Sequence, residues 1–442
     1  MANQVVTRTY RARICNYSQV RDDLDSLGFA ASKLWNVGRW TAQRIWDACG
    51  QIPGANALTA YLKNHERYAD LHSQSSQRVL QELGEAFTSW YGKRGNGDTN
   101  ANPPGYRKHN GDHPRSTVTF KQAGFKHDAA NDRIRLSKGA NLKHGWADFV
   151  LCEYDVIGPA SRTVENVQQV RAVYEHGVWR LHIVCRVEID ARDAPGDGVA
   201  GVDLGICNLA AVSFGDEAVL YPGGALKEDK YWFQKERAKC DSSASREASR
   251  LDRKRTARRT HFLHTLSKEI VQQCVERNVG TIVVGDLGGI REDDESGGAR
   301  NWGDHGNLDL HGWAFDRLTT MLEYKPEAES IDVECVSERD TSKTCSACRR
   351  SADRQRVERG LYVCDCGFVG NADCNGAENI RRKVLPNLAC DGGDRDNGWL
   401  AQPAVRLGNP RPSGRGGCQF GGVRGAGGRV DGVPKCLTDI AE

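Results

Sequence analysis

The chain has 442 residues, 27% of them charged and 7% aromatic. Lys and Arg number 61 against 58 Asp and Glu, a net charge of +3, which excludes a uniformly basic nucleic-acid coat but not a polarised one. The length suggests about three domains. The absence of long apolar runs and of a leader-like N-terminus argues against membrane spanning and secretion.

In chain order, residues 5–15 alternate β-branched or aromatic residues with polar ones, which predicts a strand. Residues 18–48 and 57–92 carry helical spacing, and 91–115 is a Gly-, Asn- and Pro-rich loop. Short β-like runs recur from 116 to 190, so the N-terminal part reads as an antiparallel β domain interrupted after its first strand by a helical insertion. Residues 190–198 form a turn-rich linker. Beyond it the texture is α/β: three successive strands, a helical stretch from about 227 to 278, a short buried strand at 281–287, a helix at 313–329 and a strand at 330–337. That order is RNase H-like. The stretch from about 389 is rich in Gly with scattered Arg and predicts a disordered tail.

Sixteen cysteines in a reducing cytosol read first as metal ligands. The strongest local signal is Cys345-x-x-Cys348 followed, after fifteen residues, by Cys364-x-Cys366-Gly367. Two such turns can present four thiolates to one tetrahedral Zn²⁺, with Cys374 a substitute ligand for the short second pair. Asp203 ends an apolar strand in VAGVDLGICNLAAV, and Asp373 opens a helical stretch just after the cysteines. Each alone reads equally well as a turn residue or a helix N-cap. Together they could hold metal, since carboxylates from distant parts of a chain converge in two-metal sites. Nine basic residues lie between 237 and 259; Arg246, Arg250, Arg253 and Lys254, with Arg258 one turn further on, form a helical ridge that could follow a phosphate backbone. Tyr106, Arg107 and Lys108 form a smaller basic loop after two prolines.

These residues together resemble the TnpB/OrfB family of insertion sequences, relatives of the type V CRISPR effectors. The matching stretches are GVDLGICNLA (201–210), TIVVGDL (281–287), TSKTCSAC…YVCDCG…NADCNGAENI (341–380), PPGYRK (103–108) and the helix ending in YK (324–325). The resemblance implies a transposon-encoded RNA-guided DNA endonuclease with guide RNA and target DNA as partners, Mg²⁺ at the catalytic centre and structural Zn²⁺, working beside the nucleoid in the cytoplasm without membrane or small-molecule substrate. It implies a wedge β-barrel (1–17 and 101–195) with a helical recognition insertion (18–100), a RuvC-like nuclease domain of RNase H fold (196–338 and 373–388) and an inserted zinc ribbon (339–372). The tail is then 389–442. The family's Asp, Glu, Asp triad carries over to Asp203 and Asp373, and the ribbon ligands to Cys345, Cys348, Cys364 and Cys366. The central Glu falls on Gly285, which has no side chain to offer. Asp286 could replace it if a bulge turned it inward; Glu292, Asp293 and Asp294 could also reach back. Failing those, the protein would be a nuclease-dead RNA-guided binder or a decayed relic.

Overall fold

The computed structural model describes residues 3–385 apart from 96, 99, 108–113, 144–147, 159–163, 191–192, 243–244, 287–314, 353–354 and 359, together with 400, 402–408 and 421–423. The chain divides into two units, Met1–Ala191 and Arg192–Glu442.

The first unit is a seven-stranded antiparallel sheet with helices packed on it. Its strands are β1 (Asn3–Ile14), β2 (Val118–Lys121), β3 (Phe125–Asp128), β4 (Arg133–Ser137), β5 (Phe149–Val156), β6 (Val167–Glu175) and β7 (Val178–Asp190), in the order β2-β6-β7-β1-β5-β4-β3. Only residues 122–124 separate β2 from β3, so the two edge strands run on from each other and the sheet is nearly closed. The helices α1 (Tyr17–Cys49), α2 (Ala55–Leu62) and α3 (Ser73–Gly95) enter between β1 and β2, where the helical insertion is expected. They are no separate body. Leu24, Leu27, Leu34, Leu80 and Leu83 share one apolar core with Phe120, Ile134, Trp179 and Leu181 of the strands. Gly28 lets α1 approach Trp179, because a Cβ there would come within 2.6 Å of the indole.

The second unit is a mixed sheet between two layers. Strands β8 (Gly198–Asp203), β9 (Asn208–Ser213) and β10 (Ala218–Pro222) form an antiparallel meander. Two helices follow, α4 (Gly224–Ala238) and α5 (Arg246–Glu276). Then β11 (Val279–Asp286) returns parallel to β8, and β12 (Asp332–Ser337) lies parallel to β11 after α6 (Phe315–Glu327). The apolar residues of one face, among them Ala200, Val202, Ile282 and Val284, pack against α5 and α6. The opposite face carries α7 (Ala372–Arg382). Gly201 brings them together: a Cβ there would lie 2.6 Å from the Cβ of Arg381. Helix α7 is tied down by a buried acid, Glu378, which accepts from Ser213 Oγ at 2.6 Å and from Arg381 at 2.7 Å and also pairs with Arg382. Burial alone would raise the Glu378 pKa, but the two guanidiniums hold it below the usual carboxylate range. Between β12 and α7 the chain makes a small three-stranded sheet of β13 (Arg356–Glu358), β14 (Leu361–Val363) and β15 (Val369–Asn371).

The expectation of a disordered tail is corrected in part. Strand β16 (Ala404–Leu407) pairs parallel to β10, with Val219 opposite Ala404 and Leu220 opposite Val405, and β17 (Gly421–Val423) pairs with β16. Leu400 is buried beneath the inserted sheet and α7. Gly-rich composition concealed a short apolar strand that covers the backbone groups of an edge. No helix among the described residues is long and apolar enough to cross a membrane.

Candidate functional site

Three carboxyl groups stand near enough to influence one another, at the end of β8, just beyond β12 and at the start of α7. Asp203 is the last residue of β8 and points to the α7 side, since Gly201, two residues earlier, faces that helix. It packs onto Gly376, where a Cβ would lie 2.6 Å from Asp203 Oδ2. Asp373 is not the N-cap of α7. Asn371 caps instead, its side chain accepting from the backbone N–H groups of Asp373 (3.0 Å) and Cys374 (3.1 Å). The Asp373 carboxylate is thereby released sideways, where Asn208 Nδ2 donates to one oxygen at 2.8 Å and Arg356 to the other at 3.0 Å. The third group is Glu338, one residue beyond β12. Its side chain lies over Gly285 of β11, and a Cβ built on that glycine would stand 2.7 Å from Glu338 Cγ and 2.8 Å from Ile380 Cδ1 of α7.

Burial first, then the neighbouring Glu338 and Asp373 carboxylates, push Asp203 well above the ordinary range, against the pull of Arg356. Burial and the charge of Asp286 push Glu338 up to about 7, with Lys383 opposing. Glu338 Oε1 is buried without a hydrogen-bond partner. The chemistry of this donor set, neighbouring carboxylates and an orphaned buried acceptor, fits a hard divalent cation; among the described residues only the four cysteines stand together at ligating distance.

Asp286 does not fill the gap left at Gly285. The β11–β12 register runs without a shift through Gly285↔Val336 and Asp286↔Ser337, so the bulge needed to turn Asp286 inward is absent. Strand alternation sends its side chain to the face opposite Gly285. Glu292, Asp293 and Asp294 lie outside the described residues.

The four predicted thiols converge. The Sγ atoms of Cys345, Cys348, Cys364 and Cys366 all lie within 4.8 Å of one another, with Cys345–Cys366 at 3.8 Å and Cys348–Cys364 at 3.6 Å. A tetrahedral centre with metal–sulfur bonds of about 2.3 Å has edges of about 3.8 Å, so the residues fit a metal. The turns that present them end on Arg349 and Gly367, both at positive φ (66° and 91°). Cys374, on α7, is buried in the core, and the substitute-ligand role is not seen among the described residues.

The basic residues divide. Arg246, Arg250, Arg253 and Lys254 are exposed along one side of α5, as expected, with Arg250 held by Glu247 at 2.6 Å. Arg258 is corrected: it turns inward to Asp229 at 3.1 Å, both side chains nearly covered. Arg107 is corrected as well. It lies 3.9 Å above the Trp35 ring and exchanges backbone hydrogen bonds with the Asn36 side chain, so it fastens its loop to α1. Tyr106 remains exposed, and Lys108 lies outside the described residues.

Sequence reasoning missed Glu338, Gly376, Asn208 and Arg356. For Glu338 the signal was available: in SIDVECVSE it is two residues after Val336, hence on the face of Val336 and of its partner Gly285.

Two family models match this architecture. Residues 182–291 match OrfB_IS605, described as "Probable transposase", and residues 315–380 match the Cas12f1-like TNB domain. Over these two stretches the chain is similar to the OrfB_IS605 and Cas12f1-like models. The TnpB-like protein ORF457 of Acidianus two-tailed virus is 27% identical over 401 residues, spanning 82% of this chain and 83% of that protein. A Streptomyces pristinaespiralis protein named for RNA-guided DNA endonuclease activity is 26% identical over 410 residues, spanning 89% and 93%. A solved Cas12f1–sgRNA–target DNA complex aligns with 86% of this chain and 100% of that chain at 14% identity; its TM-score of 0.35 is too low to support a fold argument.

Proposed function

We propose that this protein is an RNA-guided DNA endonuclease that hydrolyses phosphodiester bonds with divalent metal, Mg²⁺ in the cell. The observation that carries the reading is the convergence of Asp203 and Asp373, separated by most of the second unit in sequence, onto one end of the sheet. The strand order β10-β9-β8-β11-β12, with the first three antiparallel and the last two parallel to β8, supports the RNase H-like reading. When bound, a divalent ion would supply Lewis-acid polarisation of the phosphate and an activated water. Asp203 and Asp373 would hold it. Asn208 and Arg356 orient Asp373, and Gly376 gives Asp203 its place. Arg356 also supplies a positive charge beside both acids.

Cys345, Cys348, Cys364 and Cys366 would hold a structural Zn²⁺, making the inserted sheet a zinc ribbon. The exposed ridge of Arg246, Arg250, Arg253 and Lys254, with Tyr106 in the first unit, would contact guide RNA or its duplex with DNA. That substrate places the protein with the nucleoid.

The test uses full-length protein purified with its guide RNA and given a matched DNA duplex in Mg²⁺. Cleavage is expected, and Asp203→Ala should reduce it below detection while leaving guide-dependent DNA binding within about twofold. Binding without scission by the unaltered protein would favour the nuclease-dead reading.

A further inference from the structure

We propose that Glu338 is the third metal-holding carboxylate of this site, having moved from β11 to the end of β12, and that Gly285 is the space it occupies. The inference rests on the nuclease reading above and names a residue that neither the sequence motif nor the relatives assign.

Four observations support it. Gly285 and Val336 are register partners in adjacent parallel strands, so the residue two positions beyond Val336 leaves β12 on the same face as Gly285. The Glu338 side chain then folds back across the glycine. Its Cγ lies 2.7 Å from where a Cβ at 285 would be, so a side chain at 285 and the observed Glu338 exclude each other. The carboxyl thereby reaches the same side of the sheet as Asp203, since Gly285 and Asp203 both face α7, against Ile380 and Gly376 respectively. Finally, Glu338 Oε1 is buried with no hydrogen-bond donor, and the nearby Lys383 ammonium is directed to the carbonyl oxygens of Ser337 and Arg339. A buried acceptor left unmatched is destabilising, and more so when charged. A purely structural acid would be expected to have acquired a donor, as Glu378 has acquired three. A cation shared with Asp203 supplies what is missing.

Glycine at 285 thus accommodates the relocated acid. The carboxylate count of the site is preserved while its strand of origin changes.

The test measures Mn²⁺ binding by electron paramagnetic resonance and calorimetry, beside DNA cleavage, on the full-length protein with guide RNA. Glu338→Gln keeps the shape and removes the charge. It should weaken Mn²⁺ binding by at least about tenfold, the loss that even an outer-shell partner can bring, and cleavage should fall with it. Gly285→Glu alone should also impair both, because the two side chains collide. The double variant Gly285→Glu/Glu338→Gly returns the acid to β11 and should regain both. Unchanged Mn²⁺ affinity and cleavage in Glu338→Gln would overturn the proposal. Should that variant misfold by circular dichroism, the double variant decides: recovery supports the assignment, and a folded double variant without Mn²⁺ binding refutes it. If Asp203→Ala is inactive while Glu338→Gln cuts normally, Glu338 is excluded and the nuclease reading stands. If Mn²⁺ binding depends on Glu338 but the unaltered protein cuts no DNA, the nuclease reading falls and the ligand assignment stands.

Discussion

Gly376 shows how a residue with no functional group can decide the chemistry of a site. It lies on α7 directly against Asp203, and a Cβ there would press to 2.6 Å on the carboxylate oxygen. Replacing a helical Gly by Ala normally gains about 1 kcal/mol in helix propensity, whereas overpacking costs about 1–3 kcal/mol. The two nearly offset, so Gly376→Ala should change the melting temperature by only a few degrees. Asp203 must nevertheless move, and cleavage should fall at least about tenfold because ligand geometry tolerates little displacement. Parallel melting and cleavage assays check this; equal loss of both would mean simple misfolding. The requirement was not legible in NADCNGAENI, where the glycine reads as a weak point in a helix. Only the approach of β8 gives it meaning.

Helix α5 shows how a charge run sorts itself by face. The nine basic residues between 237 and 259 form one cluster in sequence, yet Arg258 turns to Asp229 while Arg253 and Lys254 look outward. Arg253→Ala with Lys254→Ala should weaken guide-RNA binding and lower the salt slope by about 1.4, at roughly 0.7 per phosphate on single strands. Arg258→Ala should leave that slope unchanged and lower the melting temperature, since it strands a largely covered Asp229 carboxylate. Filter binding across a salt series, with thermal melts, separates the two. Spacing by three and four revealed the ridge but could not assign Arg258, because its partner belongs to α4, far off in the helical pattern. Arg107 was misread for a related reason: a basic residue after two prolines resembles an open loop, and its anchoring to Trp35 is tertiary.

At the scale of the molecule, alternation and apolar runs predicted an antiparallel β region, a turn-rich linker at 190–198 and an α/β region beyond it, because each strand pattern is local; the chain divides after Ala191. The C-terminal strand was hidden by its surroundings. Ala404–Leu407 is four residues inside a Gly-rich stretch, and only the open edge of β10 turns it into structure. Arg406 adds an ion pair to Glu269 of α5 at 3.1 Å. Truncation after residue 403 should therefore lower the melting temperature and increase aggregation, because β10 becomes an exposed edge. Light scattering during thermal melts of the two lengths would show it. Equal behaviour would mean that the strand contributes nothing to the unit.

The chain runs into the four-cysteine insert immediately after Glu338 and emerges from it two residues before Asp373. The insert is thus a loop whose two ends are pinned at one point, by β12 on one side and by the Asn371 cap of α7 on the other. Residues can be gained or lost between those pins without displacing either acid as long as Arg356 keeps its hold on Asp373, because length is absorbed in the loop and not in the frame. Variation in the insert and constancy of the acids are therefore mechanically compatible, and the short Cys364-x-Cys366 turn is a change of the kind such a frame tolerates.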